Sequence, residues 1–400
     1  MMPGLGGTVD LIYVDPPYNT GYYGRKYNDK FTAWADFMIP RLRLARQALT
    51  ELGVIAVAID DTEHARLRTI MDDIFGPRNF LTNIVWQGHT LGDGRFTGGG
   101  LDYMVVYGRD KAAMVKADIR WRESKVGLDA IFAAAANSWQ RSEFRSDGAT
   151  YYMRDWWKVH KGEYSPGLRE YSRIDDAGRV FRIGHLGQPT GRGCGTYPLL
   201  HPVTGRPVKQ PSGEWVCTQE TMARYIEEGR IQFGPDETTI PHRKLYLEEQ
   251  STQSPAQSFT HQRDGGTDRL TSIFGETRFA NPKDPSVLAR WFEMMASSEA
   301  TILDFFAGSG STADAVFQLN ASDGGSRRCI LVTNNEVSAV DAKRLRAAGV
   351  EPGEELWEAA GVFRHVTAPR VRTLVTGIRE DGSRFSDGFD EAVEFLQLVG

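Results

Sequence analysis

The feature that most restricts how this 400-residue chain can fold is a proline pair at the end of an apolar run. Val9–Val14 is apolar and strand-sized, and it stops at Asp15-Pro16-Pro17-Tyr18. Two consecutive prolines cannot continue a helix and hold the backbone extended, so a strand must give way here to a stiff turn bearing a carboxylate. Downstream, strand and helix signals alternate. Helical spacing covers Trp34–Leu52, with Gly53 as a stop and Pro40 predicting a kink or break. A strand is predicted at Val54–Ile59, a helix at Glu63–Ile74 closed by Gly76-Pro77, a strand at Thr82–Gln87 and another at Tyr103–Tyr107, with a glycine-rich stretch at Gly88–Gly100. That rhythm implies an α/β unit with a mainly parallel sheet.

From Arg109 the rhythm breaks. Residues 109–250 are rich in Trp, Tyr, Arg, Gly and Pro, with short strands and few helices, Thr218–Gly229 being one. So long a stretch inside an α/β chain reads as an inserted domain. The α/β pattern resumes with a helix at Pro285–Ala296, a strand at Thr301–Phe305, a helix at Ser311–Leu319 and a strand at Cys329–Thr333. The expected organisation is a first α/β half over 1–108, the insert over 109–250, a second half over 251–340 and an acidic extension over 341–400 that carries no motif.

Several classes of function are excluded early. No apolar run approaches the ~18 residues of a membrane span, and Met1–Asp10 lacks the marks of a secretory leader. Three scattered cysteines exclude a disulfide framework and a four-cysteine zinc site, and the histidines (His89, His160, His185, His201, His242 and His261) show no metal spacing. A cytoplasmic protein without a metal is expected. The net charge of −5 argues against coating nucleic acid by bulk charge. Local balance differs: Asn137–Gln210 holds 12 Lys/Arg against 7 Asp/Glu, and Glu336–Gly400 holds 8 against 12. A basic middle permits a localised polyanion site.

A second motif is Asp304-Phe305-Phe306-Ala307-Gly308-Ser309-Gly310, followed by Ser311-Thr312. No lysine follows the glycines, so it is not a phosphate-binding P-loop. The glycines let a ligand approach the backbone at the carboxyl end of a strand, and Asp304 can accept hydrogen bonds from a cationic amine. Alone, this pattern equally describes a tight turn before a helix.

The first motif has a sharper chemical rationale. An exocyclic base amine is a poor nucleophile because its lone pair is delocalised into the ring. If Asp15 and the Pro16 carbonyl each accept one amine proton, the lone pair turns toward an incoming methyl group. Pro17 helps fix that carbonyl, and Tyr18 offers a face on which an everted base stacks, worth about 1–3 kcal/mol.

Asp15–Gly21, Tyr27–Phe31 and Phe37–Leu49, then Phe279–Lys283, Asp304–Thr312 and Cys329–Thr333, resemble the DNA amino-methyltransferases. More narrowly, they resemble the modification (Mod) subunits of type III restriction systems and related phage-defence adenine methylases. The catalytic motif precedes the cofactor motif by 289 residues, which is the circularly permuted β order with a target-recognition domain between. The resemblance implies a Rossmann-like α/β methyltransferase sheet, S-adenosylmethionine as cofactor and double-stranded DNA as substrate. A restriction or other defence subunit and a second copy of the chain are further partners it admits.

Carried over by position, Asp15, Pro16, Pro17 and Tyr18 serve the target base. Asp304, Phe306, Gly308 and Gly310 hold the cofactor's methionine part. Asn281 and Lys283 close over its carboxylate, and Glu336 takes the ribose hydroxyls. The implied reaction is N6-adenine methylation without a covalent intermediate, since no Pro-Cys site is present. Asp rather than Ser at the first catalytic position favours adenine over the N4 amine of cytosine. The family normally carries one more strand ahead of the catalytic motif, and only ten residues precede Leu11. Either the start is truncated or the fold lacks that strand, so a non-catalytic DNA-binding subunit is the rival from another class. In the insert, Trp121, Trp139, Trp156, Trp157 and Trp215 among arginines suit contact with phosphates and bases.

Overall fold

A computed structural model of the protein describes residues 5–20, 33–88, 100–262 and 264–397. The Tyr27–Phe31 segment, His89 and positions 89–99 of the glycine-rich stretch lie outside the described residues. The chain divides into two compact units, Met1–Trp121 with Pro255–Gly400, and Arg122–Ser254.

The first unit is built on a seven-stranded sheet. Its strands are β1 (Val9–Val14), β2 (Leu49–Ile59), β3 (Phe80–Gln87), β4 (Leu101–Gly108), β5 (Ser258–Thr260), β6 (Thr301–Asp304) and β7 (Arg328–Leu331), in the spatial order β5-β3-β4-β2-β1-β6-β7. Only β4 runs against the others: it is antiparallel to β2 and β3, while the remaining neighbours are parallel. Leu11 and Tyr13 pack on the layer containing Trp291, Phe292 and Val316, whereas Ile12 and Val14 pack on the layer containing Met38, Leu42 and Leu67. With both faces covered, a central strand has no solvent side, which is why every residue of Val9–Val14 but Asp10 is buried and apolar or aromatic; the Asp10 carboxylate accepts from the Thr301 amide and the Thr50 hydroxyl. The architecture is a doubly covered, mainly parallel α/β sheet. Among the described residues no strand flanks the outer side of β7, and β5 closes the opposite edge.

Three local expectations change. The helix Trp34–Ala48 passes through Pro40 without a break, because Pro40 lies on the exposed side, where solvent can serve the carbonyl it leaves unbonded. That helix ends at Ala48, and Gly53 lies inside β2: pairing of Leu49 with Val9 overrides the helical spacing. Finally, the first unit continues past residue 108 to 121. The helix Lys111–Lys116, capped by the Asp110 side chain, buries Met114 against the sheet.

The second unit contains more helix than its composition suggests. Leu128–Arg141 and Ser146–Val159 are helices whose Ile131, Ala135, Met153 and Trp157 form a core, and Gln219–Glu227 is a third helix, capped by Thr218. A four-stranded antiparallel sheet orders Ile231–Gln232, His242–Tyr246, Val180–Gly184 and Arg173–Ile174. Trp157 and Trp215 are core residues here, and Trp121 belongs to the first unit. Only Trp139 and Trp156 are half-exposed. No helix among the described residues is long and apolar enough to cross a membrane.

Residues 341–400 are integral to the first unit. The helix Ala368–Thr376 packs Val371 and Leu374 against Ala313 and Phe317 of the helix Ser311–Asp323. The acidic surplus therefore decorates a segment that contributes to the core.

Candidate active site

Parallel pairing of β1 with β6 (Leu11 opposite Ile302, Ile12 opposite Leu303) brings the carboxyl ends of the two strands side by side. Residues 289 apart in sequence thereby share one cavity of about 1140 Å³. Asp15, Tyr18, Lys283, Asp304, Phe306 and Glu336 line it. Pro16, Pro17, Asn281 and Gly308 line it as well. Its size slightly exceeds that of ordinary ligand pockets, roughly 300–1,000 Å³.

The turn after β1 is fixed from behind. The Trp34 indole donates from Nε1 to the Pro17 carbonyl at 2.7 Å. Asn19 has a positive φ of 61°, and its amide donates to Glu63 Oε1 at 2.6 Å, an oxygen that also accepts from Arg66 at 2.8 Å. Glu63 is buried just ahead of the helix His64–Phe75. The starts of two neighbouring helices, Trp34–Ala48 and His64–Phe75, thus hold the proline turn through side chains that do not line the cavity.

On the cavity side, one cation dominates. The Lys283 ammonium donates to the Tyr18 hydroxyl at 2.7 Å and lies 4.8 Å from the centre of the Tyr18 ring. It is 3.0 Å from Asp15 Oδ1 and 3.9 Å from Asp102 Oδ2. The contact with Asp15 is an ion pair without hydrogen-bond alignment, so Oδ1 is buried with no hydrogen-bond donor among the described residues. Burial first, and then the Asp15 and Asp102 charges, push the Tyr18 phenol well above its ordinary pKa. Tyr18 is therefore a neutral ring with a hydroxyl.

The second strand end carries the glycine turn. Asp304 is buried; Oδ1 accepts from the Phe306 amide at 2.9 Å and Oδ2 from the Thr312 hydroxyl at 2.6 Å. Burial pushes its carboxyl pKa up to about 7; the two hydrogen bonds oppose that rise and the nearby Asp15 charge adds to it. Gly308 and Gly310 have positive φ values of 45° and 77°. At Gly308 a Cβ would lie 3.3 Å from the Phe279 ring, and Gly310 caps the helix Ser311–Asp323. Both positions need glycine for their backbone.

The back of this turn is braced by residues the sequence did not single out. Thr367 Oγ1 donates to the Gly308 carbonyl at 2.6 Å. The fully buried Arg370 donates to the Ser309 carbonyl at 3.1 Å, to the Ser311 hydroxyl at 3.0 Å and to Asp314 at 2.9 Å. Arg269 closes on the same carboxylate with two bonds of 3.0 and 3.1 Å. Burial alone would raise the Asp314 pKa; Arg370 and Arg269 outweigh it and hold the carboxyl below its ordinary range.

Ten of the eleven residues read from the sequence as site residues line this one cavity. Gly310 does not: a Cβ there would point at Thr367 and Arg370, and its left-handed conformation serves the helix start. Phe306 stands on the cavity wall 5.8 Å from Phe37, ring to ring. Asn281 has a positive φ of 52°, and Glu336 is exposed at the rim, its segment tied down by the Val362 amide on the Glu336 carbonyl. Lys283, assigned by resemblance to a carboxylate of the cofactor, has its ammonium on Asp15 and Tyr18. Trp34, Glu63, Asp102, Asp314, Thr367 and Arg370 were missed. Only the tryptophan and the buried acids left any trace in the sequence, as polar or bulky residues inside apolar periodicity.

A family model described as DNA methylase matches residues 9–360. The Mod subunit of the type III restriction-modification enzyme EcoP15I of Escherichia coli is 29% identical over 372 residues, covering 84% of this chain and 56% of that protein. The StyLTI Mod subunit of Salmonella typhimurium is 27% identical, over 82% of this chain and 49% of its own length. The type II methyltransferase M.KpnI of Klebsiella pneumoniae is 31% identical over 347 residues, 82% of this chain and 76% of that protein. The chain thus spans about half the length of the two Mod subunits.

Proposed function

The chain belongs to the DNA methylase family, and from that premise we propose that it transfers a methyl group from S-adenosylmethionine to the N6 amine of adenine in double-stranded DNA, as the modification component of a restriction-modification or related defence system. The observation that carries this reading is the meeting of Asp15 and Asp304 at one cavity through the β1–β6 register. The residues present fit the cofactor: Asp304 is an acid suited to a cationic ligand, Gly308 offers backbone uncovered by a side chain, Phe306 and Asn281 form the wall, and Glu336 stands at the rim for hydroxyl groups. When bound, the cofactor supplies a sulfonium methyl group, already a strong donor.

This chain's own residues prepare the acceptor. Trp34 occupies the Pro17 carbonyl, which keeps the turn rigid while Pro16 faces the cavity. Asp15 Oδ1 and the Pro16 carbonyl each accept one amine hydrogen bond, turning the nitrogen lone pair toward the methyl group. The Tyr18 ring stacks on the everted base, offsetting a few kcal/mol of unstacking. As the N–CH3 bond forms, positive charge develops on the amine beside the Asp15 carboxylate, which takes the released proton on toward solvent. Orientation supplies most of the acceleration. In the second unit, Arg154, Arg173 and Lys244 have no carboxylate partner among the described residues, whereas Arg179, Arg182 and Arg230 do. The unpaired cations support phosphate contact by this unit.

Mass spectrometry and long-read sequencing of DNA from cells expressing the full-length protein test the proposal. N6-methyladenine at one defined sequence is the expected result. N4-methylcytosine alone would reassign the base, and no modified base together with no heat on titration with S-adenosylmethionine would favour the non-catalytic DNA-binding reading.

A further inference from the structure

We propose that Lys283 is an internal stand-in for the target base: its ammonium occupies the amine-accepting position of the Asp15–Tyr18 turn until an everted base displaces it. The inference rests on the reading of that turn as the base site. A base entering the turn needs three things there: the Asp15 carboxylate as an acceptor, the face of the Tyr18 ring, and space between them. In the structure one cation takes up the acceptor and the space, sitting at the hydroxyl end of the ring. Lys283 Nζ is 3.0 Å from Asp15 Oδ1, 4.8 Å from the Tyr18 ring centre and hydrogen-bonded to the Tyr18 hydroxyl at 2.7 Å. An ammonium is, like the base amine, an N–H donor. Its charge also suits a site holding three acids, Asp15, Asp102 and Asp304.

The ion pair is imperfect in a telling way. Oδ1 of Asp15 remains without an aligned donor, so the lysine neutralises the site without satisfying the oxygen an amine would satisfy. The side chain is also tethered to the cofactor turn, since the Lys283 carbonyl accepts from the Ser311 hydroxyl at 2.8 Å. The backbone of Lys283 therefore stays anchored while its four-carbon side chain is free to exchange partners. Asp284, the next residue, caps the helix Pro285–Met295 and pairs with His261 at 2.8 Å, which fixes the anchor from the other side.

A competing internal occupant lowers apparent affinity for the base by the fraction of molecules whose site is open. The test uses the full-length protein and a duplex carrying 2-aminopurine at the position found to be methylated. Lys283→Met keeps the side-chain stem and removes the cation. Its duplex Kd and KM are expected to fall, by about tenfold if the lysine holds nine sites in ten. The 2-aminopurine emission should rise in parallel. Lys283→Arg, which retains a cation, should restore the unaltered values. Tyr18→Phe removes the hydroxyl that anchors the ammonium and keeps the ring, so it should raise emission in the same direction if Lys283→Met fails to fold. Unchanged emission and Kd in these variants would overturn the inference. So would a tenfold loss of S-adenosylmethionine affinity in Lys283→Met with base extrusion unaltered, since the ammonium would then serve the cofactor. Absence of methyl transfer and of cofactor binding in the unaltered protein would overturn the methyltransferase reading itself, and the inference with it.

Discussion

The end of β6 and the end of β1 face the same cavity but are held by different means. At β6 the turn is fixed from outside the cavity: Thr367 on the Gly308 carbonyl, Arg370 on Ser309 and Ser311, and the Asp314 carboxylate gripped by Arg370 and Arg269, all buried or nearly so. At β1 the backbone is pinned by Trp34 and Glu63, while the functional atoms of Asp15 and Tyr18 rest on one lysine that reaches in from the cavity wall. A turn that must accept the same cofactor in every cycle gains from being shaped before the ligand arrives. A turn that must admit a bulky base from a duplex needs its functional atoms accessible. The contrast teaches that stability and chemistry are partitioned between the two strand ends, and substitutions should separate them.

Asp15→Ala should show the largest effect on activity and the smallest on folding. Loss of one preorganised group at a developing charge costs on the order of 10²–10³-fold in kcat, measured by methyl incorporation. Chemical denaturation should change little, because the substitution also removes one of three clustered acids. A mutant that unfolds instead would break the division proposed for the two ends.

Arg370→Met should do the reverse. Breaking a buried ion pair by removing one partner costs about 3–5 kcal/mol, and thermal unfolding should shift by roughly 2–4 °C for each kcal/mol. Retention of full stability in Arg370→Met would show that the brace is dispensable.

Asp304 sharpens the comparison through pH. Its folded-state pKa near 7 lies above the ordinary carboxylate value of 3.8, so between about pH 4 and pH 7 the folded protein holds a proton that the unfolded chain has released. Its contribution to stability is therefore present at low pH and lost as pH rises through 7, at no more than about 1.4 kcal/mol per pH unit. Asp304→Asn should flatten that slope in denaturant titrations from pH 5 to pH 8. A cationic ligand favours the ionised form, so S-adenosylmethionine binding near pH 6.5 should release protons, visible as buffer-dependent heats in calorimetry. The smallest effect is expected from Trp34→Phe, which removes one hydrogen bond to the proline turn. About 1 kcal/mol of stability should be lost, with a several-fold drop in kcat and unchanged cofactor affinity.

Much of this site was legible in the sequence because it consists of local signals. Asp15–Tyr18 and Asp304–Gly310 are contiguous motifs whose prolines and glycines dictate their own backbone, and the apolar runs before them announce buried strands. The brace was not legible. Arg370 and Thr367 lie in a segment whose composition is acidic and unpatterned, and their meaning arises only when Ala368–Thr376 docks on the helix Ser311–Asp323. Lys283 could be associated with the cofactor by its neighbours in sequence, but its partners are decided by which way a flexible side chain turns. The helices Leu128–Arg141 and Ser146–Val159 were obscured by aromatic and basic residues that composition alone associates with irregular structure. Apolar positions at Leu128, Ile131 and Ala135, with the small Ser138, repeat at helical spacing and carry the missed signal.

The placement of β1 between β2 and β6 also bears on synthesis. One edge of β1 finds its partner within the next fifty residues, but the other waits for a strand that begins at Thr301. At roughly 5–20 residues per second, the ribosome leaves that inner edge bare for on the order of 15–60 s. During this interval a row of unpaired amides and carbonyls flanked by apolar side chains is open to other nascent chains. Closure of the sheet's middle is consequently a late event of high contact order, and accumulation in cells should depend on chaperone capacity more than the finished core would suggest.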